Sequence, residues 1–425
     1  MSSTLISGAR ILDAASGYDA IGHLGIRDGH VDYIGENRPE RAYEHSEDAS
    51  GLWLMPGLVD LAVRLREPGH SRKATIRSEL TAARAAGITS LCIAPDTDPV
   101  LDTPSVLDWI NQRVDQQGSA DVYALAALTE QLDGQSLAKL GAMAHAGCVG
   151  AMQLGTPLAN AQLARRALEY AANFNLTVHV QPTDASLAAG GCAHEGSVAT
   201  RLGLPGIPVA AETVAIAQWL ALIQQTGARL HFCRISSAHG LDMIAAARET
   251  GLPVSCDVAI HQLLLTEQDI GDFDPMLHLT PPVRTLADRD ALRAGVANGS
   301  ISAICSDHQP HDVDAKVNPF PMTEPGISGL ETLLPLTLSL VNDGLISALD
   351  AVARISTWPA LVLGIPAGSL AVKEAANLVL VDPNERWQLQ PEDMLSAGHN
   401  TPFGGWQMRG RVRQTYYHGR AVYTR

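Results

Sequence analysis

Eight short apolar runs separated by helix-length segments constrain this chain more than any other feature: Leu58–Leu61, Ser90–Ile93, Val122–Ala126, Cys148–Met152, Leu176–Val180, Leu230–Ile235, Val254–Val258 and Ile301–Cys305. Unbroken apolar runs of this length suit strands buried on both faces, as in a parallel sheet. The Ala- and Leu-rich stretches between them, such as Ser78–Ala86, Leu163–Ala172, Ala211–Gln225 and Leu241–Glu249, suit crossover helices. The pattern predicts an α/β fold, a (β/α)8 TIM-type barrel over residues 56–365. Outside that interval the texture changes. Thr4–Leu12, His23–Arg27 and Val31–Ile34, the last two joined by a turn containing Asp28-Gly29, read as strands. So do Ala376–Asp382, Arg411–Thr415 and Ala421–Thr424. Residues 1–55 and 366–425 are therefore expected to build one small composite β-sandwich from both ends of the chain.

The composition narrows the function class. With 425 residues, 46% of them hydrophobic, the chain has apolar material for a large core. A formal net charge of −15 argues against a general attraction to nucleic acid or anionic lipid. No apolar stretch approaches the length of a membrane span, and the N-terminal residues lack the pattern of a secretory signal. The six cysteines are dispersed without a CxxC pair, as expected of reduced thiols in a cytoplasmic protein. Fifteen histidines are the only compositional hint of metal chemistry, so their positions decide the matter.

A barrel presents its chemistry at the C-terminal ends of its strands. The first such junction, Met55-Pro-Gly-Leu-Val-Asp-Leu-Ala-Val-Arg-Leu-Arg-Glu-Pro-Gly69, resembles the PGxxDxHxHxREPG segment of the dihydroorotase branch of the cyclic amidohydrolases. Ala94-Pro-Asp-Thr-Asp-Pro99, Cys305-Ser-Asp-His-Gln-Pro-His311 and the tail Asn400-Thr-Pro-Phe-Gly404 extend the resemblance over essentially the whole chain. It implies a hydrolase barrel in which metals at the strand ends activate water against a cyclic amide and a carboxylate moves protons.

The positions that resemble the family's ligands carry other residues. Ala62 and Arg64 stand where the first junction has its two histidines, Gln181 where the fifth has one, and Arg234 where the sixth has one. The fourth junction, Gly150–Pro157, offers neither carboxylate nor lysine for a bridging ligand. Alanine has no donor atom and a guanidinium has no accessible lone pair. Asp307 alone matches a metal-linked, proton-transferring residue, and His311 matches a substrate contact. Arg66 is kept as a carboxylate partner, whereas Asp96 and Ala259 replace asparagines of the substrate cradle. Opposite charges on Arg64, Asp96, Arg234 and Asp307 suggest an internal network in place of metal.

On these grounds no metal and no cofactor are expected, and the chain is expected not to be an enzyme. The resemblance then implies a noncatalytic dihydroorotase-like subunit of pyrimidine biosynthesis that organises the aspartate carbamoyltransferase catalytic chain in a hetero-oligomer, with a homodimer as a further option. Two alternatives stay open. One is an active cyclic amidohydrolase with an altered mononuclear site using Asp307 and either His179 or His231; the other is a carboxylate sensor using Arg64, Arg66, Arg234 and His311. Lesser features carry bland readings: His179, His231, Cys233 and Cys305 as core residues, Ser236 and Ser306 without a GxSxG elbow, and Arg409-Gly-Arg-Val-Arg413 as a solvated or interface face.

Overall fold

The computed structural model describes residues 3–425. Eight parallel strands, Leu58–Val63, Ile88–Ile93, Asp121–Ala127, Gly150–Gln153, Thr177–Val180, Leu230–Phe232, Val254–Ala259 and Ala303–Cys305, lie side by side in chain order. Each overlaps one of the expected runs. The barrel closes just beyond the eighth strand, where the backbone of His308 donates to the Ala62 carbonyl at 2.9 Å and accepts from the Arg64 amide at 3.0 Å. Asp60 reinforces this seam by accepting from the amides of Ser306 and Ala62. Its burial pushes the carboxyl up to about 6.

The crossover helices are started by local chemistry. Thr75 caps Ile76–Ala85 and Thr285 caps Leu286–Asn298, each in a reciprocal capping box, while Asn160 and Ser237 cap Ala161–Asn173 and Ala238–Glu249. Buried faces such as Ala164, Ala167, Leu168 and Ala171 pack these helices on the barrel. Cys92, Leu125, Met152, Cys233, Ala259, Ala303 and Cys305 fill the inside.

The two chain ends meet in one eight-stranded sheet. Ser3–Asp13 pairs with Tyr18–Arg27, which pairs in turn with His30–Gly35. Asp28 and Gly29, at φ 52° and 82°, form the left-handed turn between the last two. Trp53–Pro56 joins the N-terminal strands to Leu378–Gln388, itself paired with Gln407–Tyr417 and through it with Arg420–Thr424. Ile6, Ile11, Leu24, Ile26, Leu54, Leu378 and Leu380 bury one face in a core of their own. The basic cluster of the tail lies in this sheet, with Arg411 and Arg413 paired to Glu385 and Arg413 also to Asp382. No helix among the described residues is long and apolar enough to cross a membrane.

Candidate functional site

The strand ends bring the singled-out residues to one face of the barrel. Arg64 follows the first strand and donates from Nε to Asp96 Oδ2 at 2.7 Å. Burial raises the Asp96 carboxyl, but Arg64 outweighs it and holds Asp96 below the ordinary aspartate range. Gly69, at φ 98°, allows this meeting of loops: a Cβ there would lie 2.4 Å from that of Asp98.

Arg234 and Asp307 form a second pair. Both sit at left-handed backbone positions just past their strands, at φ 53° and 48°. Both are buried, and Arg234 Nε lies 3.3 Å from Asp307 Oδ1, close enough for ion pairing though not aligned as a hydrogen bond. The arginine is held by its own amide, 2.6 Å from Asp257 Oδ1, and by Nη2, which donates to Gln181 Oε1 at 2.8 Å. Gln181 in turn donates to the Thr280 carbonyl at 3.1 Å. Burial raises the Asp307 carboxyl, and Arg234 and Arg64 pull against that rise without cancelling it. Asp307 is therefore a stronger base than an ordinary aspartate.

Arg66, also left-handed at φ 64°, donates from Nε to the Pro310 carbonyl at 2.9 Å and brings Nη2 to 3.2 Å from His311 Nε2. Burial, then the neighbouring Arg64, lowers the Arg66 guanidinium to about 10. Burial and Arg66 push the His311 imidazolium down to about 3, so this ring is neutral at physiological pH. The loop carrying it is tied by Asn400, which accepts from the His311 amide at 2.9 Å and donates to the carbonyls of Gln309 and Gly326 at 3.0 Å.

Donor chemistry decides whether this face fits the metal pair implied by the family resemblance. Ala62 offers nothing, Arg64 and Arg234 place cationic groups at ligand positions, and Asp307 already faces Arg234. The Gln181 oxygen is engaged by Arg234, and Gln153 of the fourth junction spends its amide on Thr129, Leu132 and Thr156. These residues do not fit a binuclear metal site. Ala259 is buried at the end of the seventh strand, contributing no polar group.

Residues that nothing local in the sequence marks support the site. Glu79, from the first helix, accepts from His308 Nε2 at 2.8 Å, from Ser396 Oγ at 2.6 Å and from the Ala397 amide at 3.0 Å. Glu212 accepts the hydroxyls and amides of Ser236 and Ser237, which removes Ser236 from consideration as a nucleophile. Cys233 and Cys305 are buried, and burial pushes both thiols up, which disfavours either as a nucleophile in hydrolysis. His179 and His231 lie inside the barrel, below the strand ends.

Comparison with known proteins adds three findings. Residues 51–240 match the family model described as Dihydro-orotase-like. A Dihydroorotase-like protein of Pseudomonas aeruginosa is 49% identical over 97% of this chain and 98% of its own length. A Dihydroorotase of Syntrophotalea carbinolica is 40% identical over 99% and 98% respectively. In fold, the chain superposes on an L-hydantoinase (dihydropyrimidinase) from Arthrobacter aurescens with a TM-score of 0.89 and 24% identity, over 100% of this chain and 96% of that one. Full-length similarity to a protein named dihydroorotase overturns the expectation that the chain is not an enzyme. That expectation equated replaced metal ligands with lost chemistry. A buried carboxylate beside guanidinium groups retains the means for proton transfer and charge stabilisation.

Proposed function

Because this chain belongs to the dihydroorotase family of the cyclic amidohydrolases, we propose that it opens a cyclic amide bearing a carboxylate, at an altered site that works through arginine–carboxylate pairs. The observation that carries this reading is Asp307, buried at the end of the eighth strand with a raised pKa and with Arg234 at 3.3 Å. In this mechanism Asp307 takes a proton from the water that attacks the ring carbonyl, and a guanidinium offsets the charge developing on the carbonyl oxygen. The carbon–nitrogen bond then breaks as Asp307 returns the proton to the leaving nitrogen, so that ring opening consumes one water. Arg66 supplies the cationic partner for the substrate carboxylate, and neutral His311 adds a polar contact.

The test is a dihydroorotate ring-opening assay on the full chain in chelator-treated buffer. Turnover that survives chelation and falls at least ~100-fold in Asp307→Asn is expected; no turnover, or turnover only after zinc is added, would overturn the mechanism. Since Asp307 must be ionised and its pKa is raised, activity should be lost on acidification at a higher pH than for an ordinary aspartate.

A second role concerns partners. Val313, Val317 and Met322, on the loop after the eighth strand, are 78%, 69% and 70% exposed, an apolar group of the kind that marks protein contacts. Such a surface suits a protein partner, and we propose that this partner is the aspartate carbamoyltransferase catalytic chain in a hetero-oligomer, with a homodimer as the competing outcome. Co-purification from a co-expressing host should recover both chains together, and Val313→Asp/Val317→Asp should release them. Failure of the unaltered chains to associate would refute this role. All six cysteines are unpaired and buried, which supports a cytoplasmic setting.

A further inference from the structure

Beneath the strand ends, the barrel interior contains chemistry that the hydrolytic reading leaves unused. His179 on the fifth strand is the direct cross-strand neighbour of His231 on the sixth, and their ring centroids are 5.2 Å apart. Cys233, two residues beyond His231, brings its sulfur to 3.9 Å from His179 Nδ1. All three are buried, and one donor atom from each lies within 4.8 Å of the others.

Three independent observations distinguish this cluster from ordinary packing. First, the buried His179 ring has no oxygen or nitrogen partner: Nδ1 faces only the Cys233 sulfur, and Nε2 has no hydrogen-bond partner, an arrangement rarely left unexplained in a native core. Second, the surroundings are soft: Cys92, Met152 and Cys305 belong to the same interior cluster as Cys233. Third, His231 places Nε2 2.8 Å from Asp257 Oδ2, the carboxylate–imidazole arrangement that orients metal-binding histidines. With that nitrogen donating to Asp257, Nδ1 keeps a lone pair, which the Ser255 hydroxyl now meets at 2.7 Å.

We propose that His179, His231 and Cys233 form a closed site for a thiophilic cation of the Zn2+ or Cu+ class, inside the barrel and separate from the strand-end pocket. Two imidazoles and a thiolate are the donor set that such cations take in preference to Mg2+ or Ca2+. On binding, the Cys233 S–H bond breaks, its electron pair forms the bond to the cation and the proton passes to solvent; both histidines donate lone pairs and nothing is oxidised or reduced. Burial keeps His179 neutral and thus able to ligate, but also raises the Cys233 thiol, so the cation competes with a proton. Arg234 opposes a cation here, while Asp257 and the new thiolate offset its charge. Because the site is enclosed, its role is to stabilise the barrel, and loading accompanies folding.

The experiment is refolding of the full-length chain in the presence of Co2+, followed by absorption spectroscopy. A sulfur-to-cobalt charge-transfer band saturating at a single equivalent, displaced by Zn2+, absent in Cys233→Ala and kept in Cys92→Ala, is expected. No band, or one that persists in Cys233→Ala, would overturn the proposal. Should Cys233→Ala fail to fold, X-ray absorption of the unaltered Zn2+-loaded chain decides: one sulfur and two imidazole scatterers support the site, and oxygen or nitrogen ligands alone refute it. Ring opening is measured separately, so failure of this site leaves the strand-end reading untouched.

Discussion

Arg234 links the strand-end residues, because its side chain faces Asp307 and Gln181 while its amide holds Asp257. Replacing it with methionine leaves Asp307 buried without its nearest cation, and we expect a loss of about 3–5 kcal/mol in urea unfolding. Adding Asp307→Leu removes the stranded charge and should restore most of that stability; a double variant as unstable as Arg234→Met would show that the pairing is not what the arginine contributes. The family resemblance was enough to find Ala62, Arg64, Gln181, Arg234 and Asp307, because each stands at a position that resembles a ligand of that family. What they would touch was harder to read. Arg64 and Asp96 are 32 residues apart, and Glu79 reaches His308 across 229. Such contacts follow from barrel closure, not from local pattern, so Glu79, Asp257, Glu212 and Asn400 escaped notice as supporting residues.

The strands were legible because burial on both faces leaves continuous apolar runs, but their ends depend on backbone geometry. The sixth run reads to Ile235, yet its strand stops at Phe232, since Cys233 leads into the left-handed Arg234. The eighth run begins at Ile301, while its strand covers only Ala303–Cys305. The early stop of the sixth strand and the left-handed turn after the eighth place Arg234 and Asp307 above the barrel, where guanidinium and carboxylate can meet. The loop after the eighth strand is held by the tail through Asn400, whose side chain makes hydrogen bonds to His311, Gln309 and Gly326. Asn400→Ala leaves these buried backbone groups short of partners and should cost about 1–3 kcal/mol. In a ring-opening assay it should also weaken substrate binding through His311, raising KM more than it lowers kcat. An unchanged KM would show that the tail does not position this loop for substrate.

Across the whole molecule, buried neutral histidines set the response to acid. Burial lowers His261 to about 3 and His278 to about 4, from an ordinary value of 6.5, as it also lowers His311 to about 3. At these rings the unfolded chain takes up protons that the folded chain refuses, so the stability they contribute is lost as pH drops from about 6.5 towards 3, while the buried Asp60 and Glu331 carboxyls, raised to about 6 and about 7, act in the opposite direction. Urea midpoints of the unaltered chain and of His278→Gln, measured between pH 8 and 4, check this: the variant should lose less stability on acidification, and an equal loss in both would contradict it. At the same scale, the two chain ends form one sheet through the pairing of Trp53–Pro56 with Leu378–Gln388, so the tail that carries Asn400 belongs to the same architecture as the first strands. Fold class and the shared sheet were legible from alternation alone; the chemical consequence of the replaced ligands was not, because it depends on how the replacements pair. The most direct measurement is dihydroorotate ring opening by the full chain in chelator-treated buffer, with Asp307→Asn in parallel. Turnover by the unaltered chain that is insensitive to chelation and abolished in the variant is the predicted result; absence of turnover, or turnover that requires added metal, would contradict a site working through arginine–carboxylate pairs.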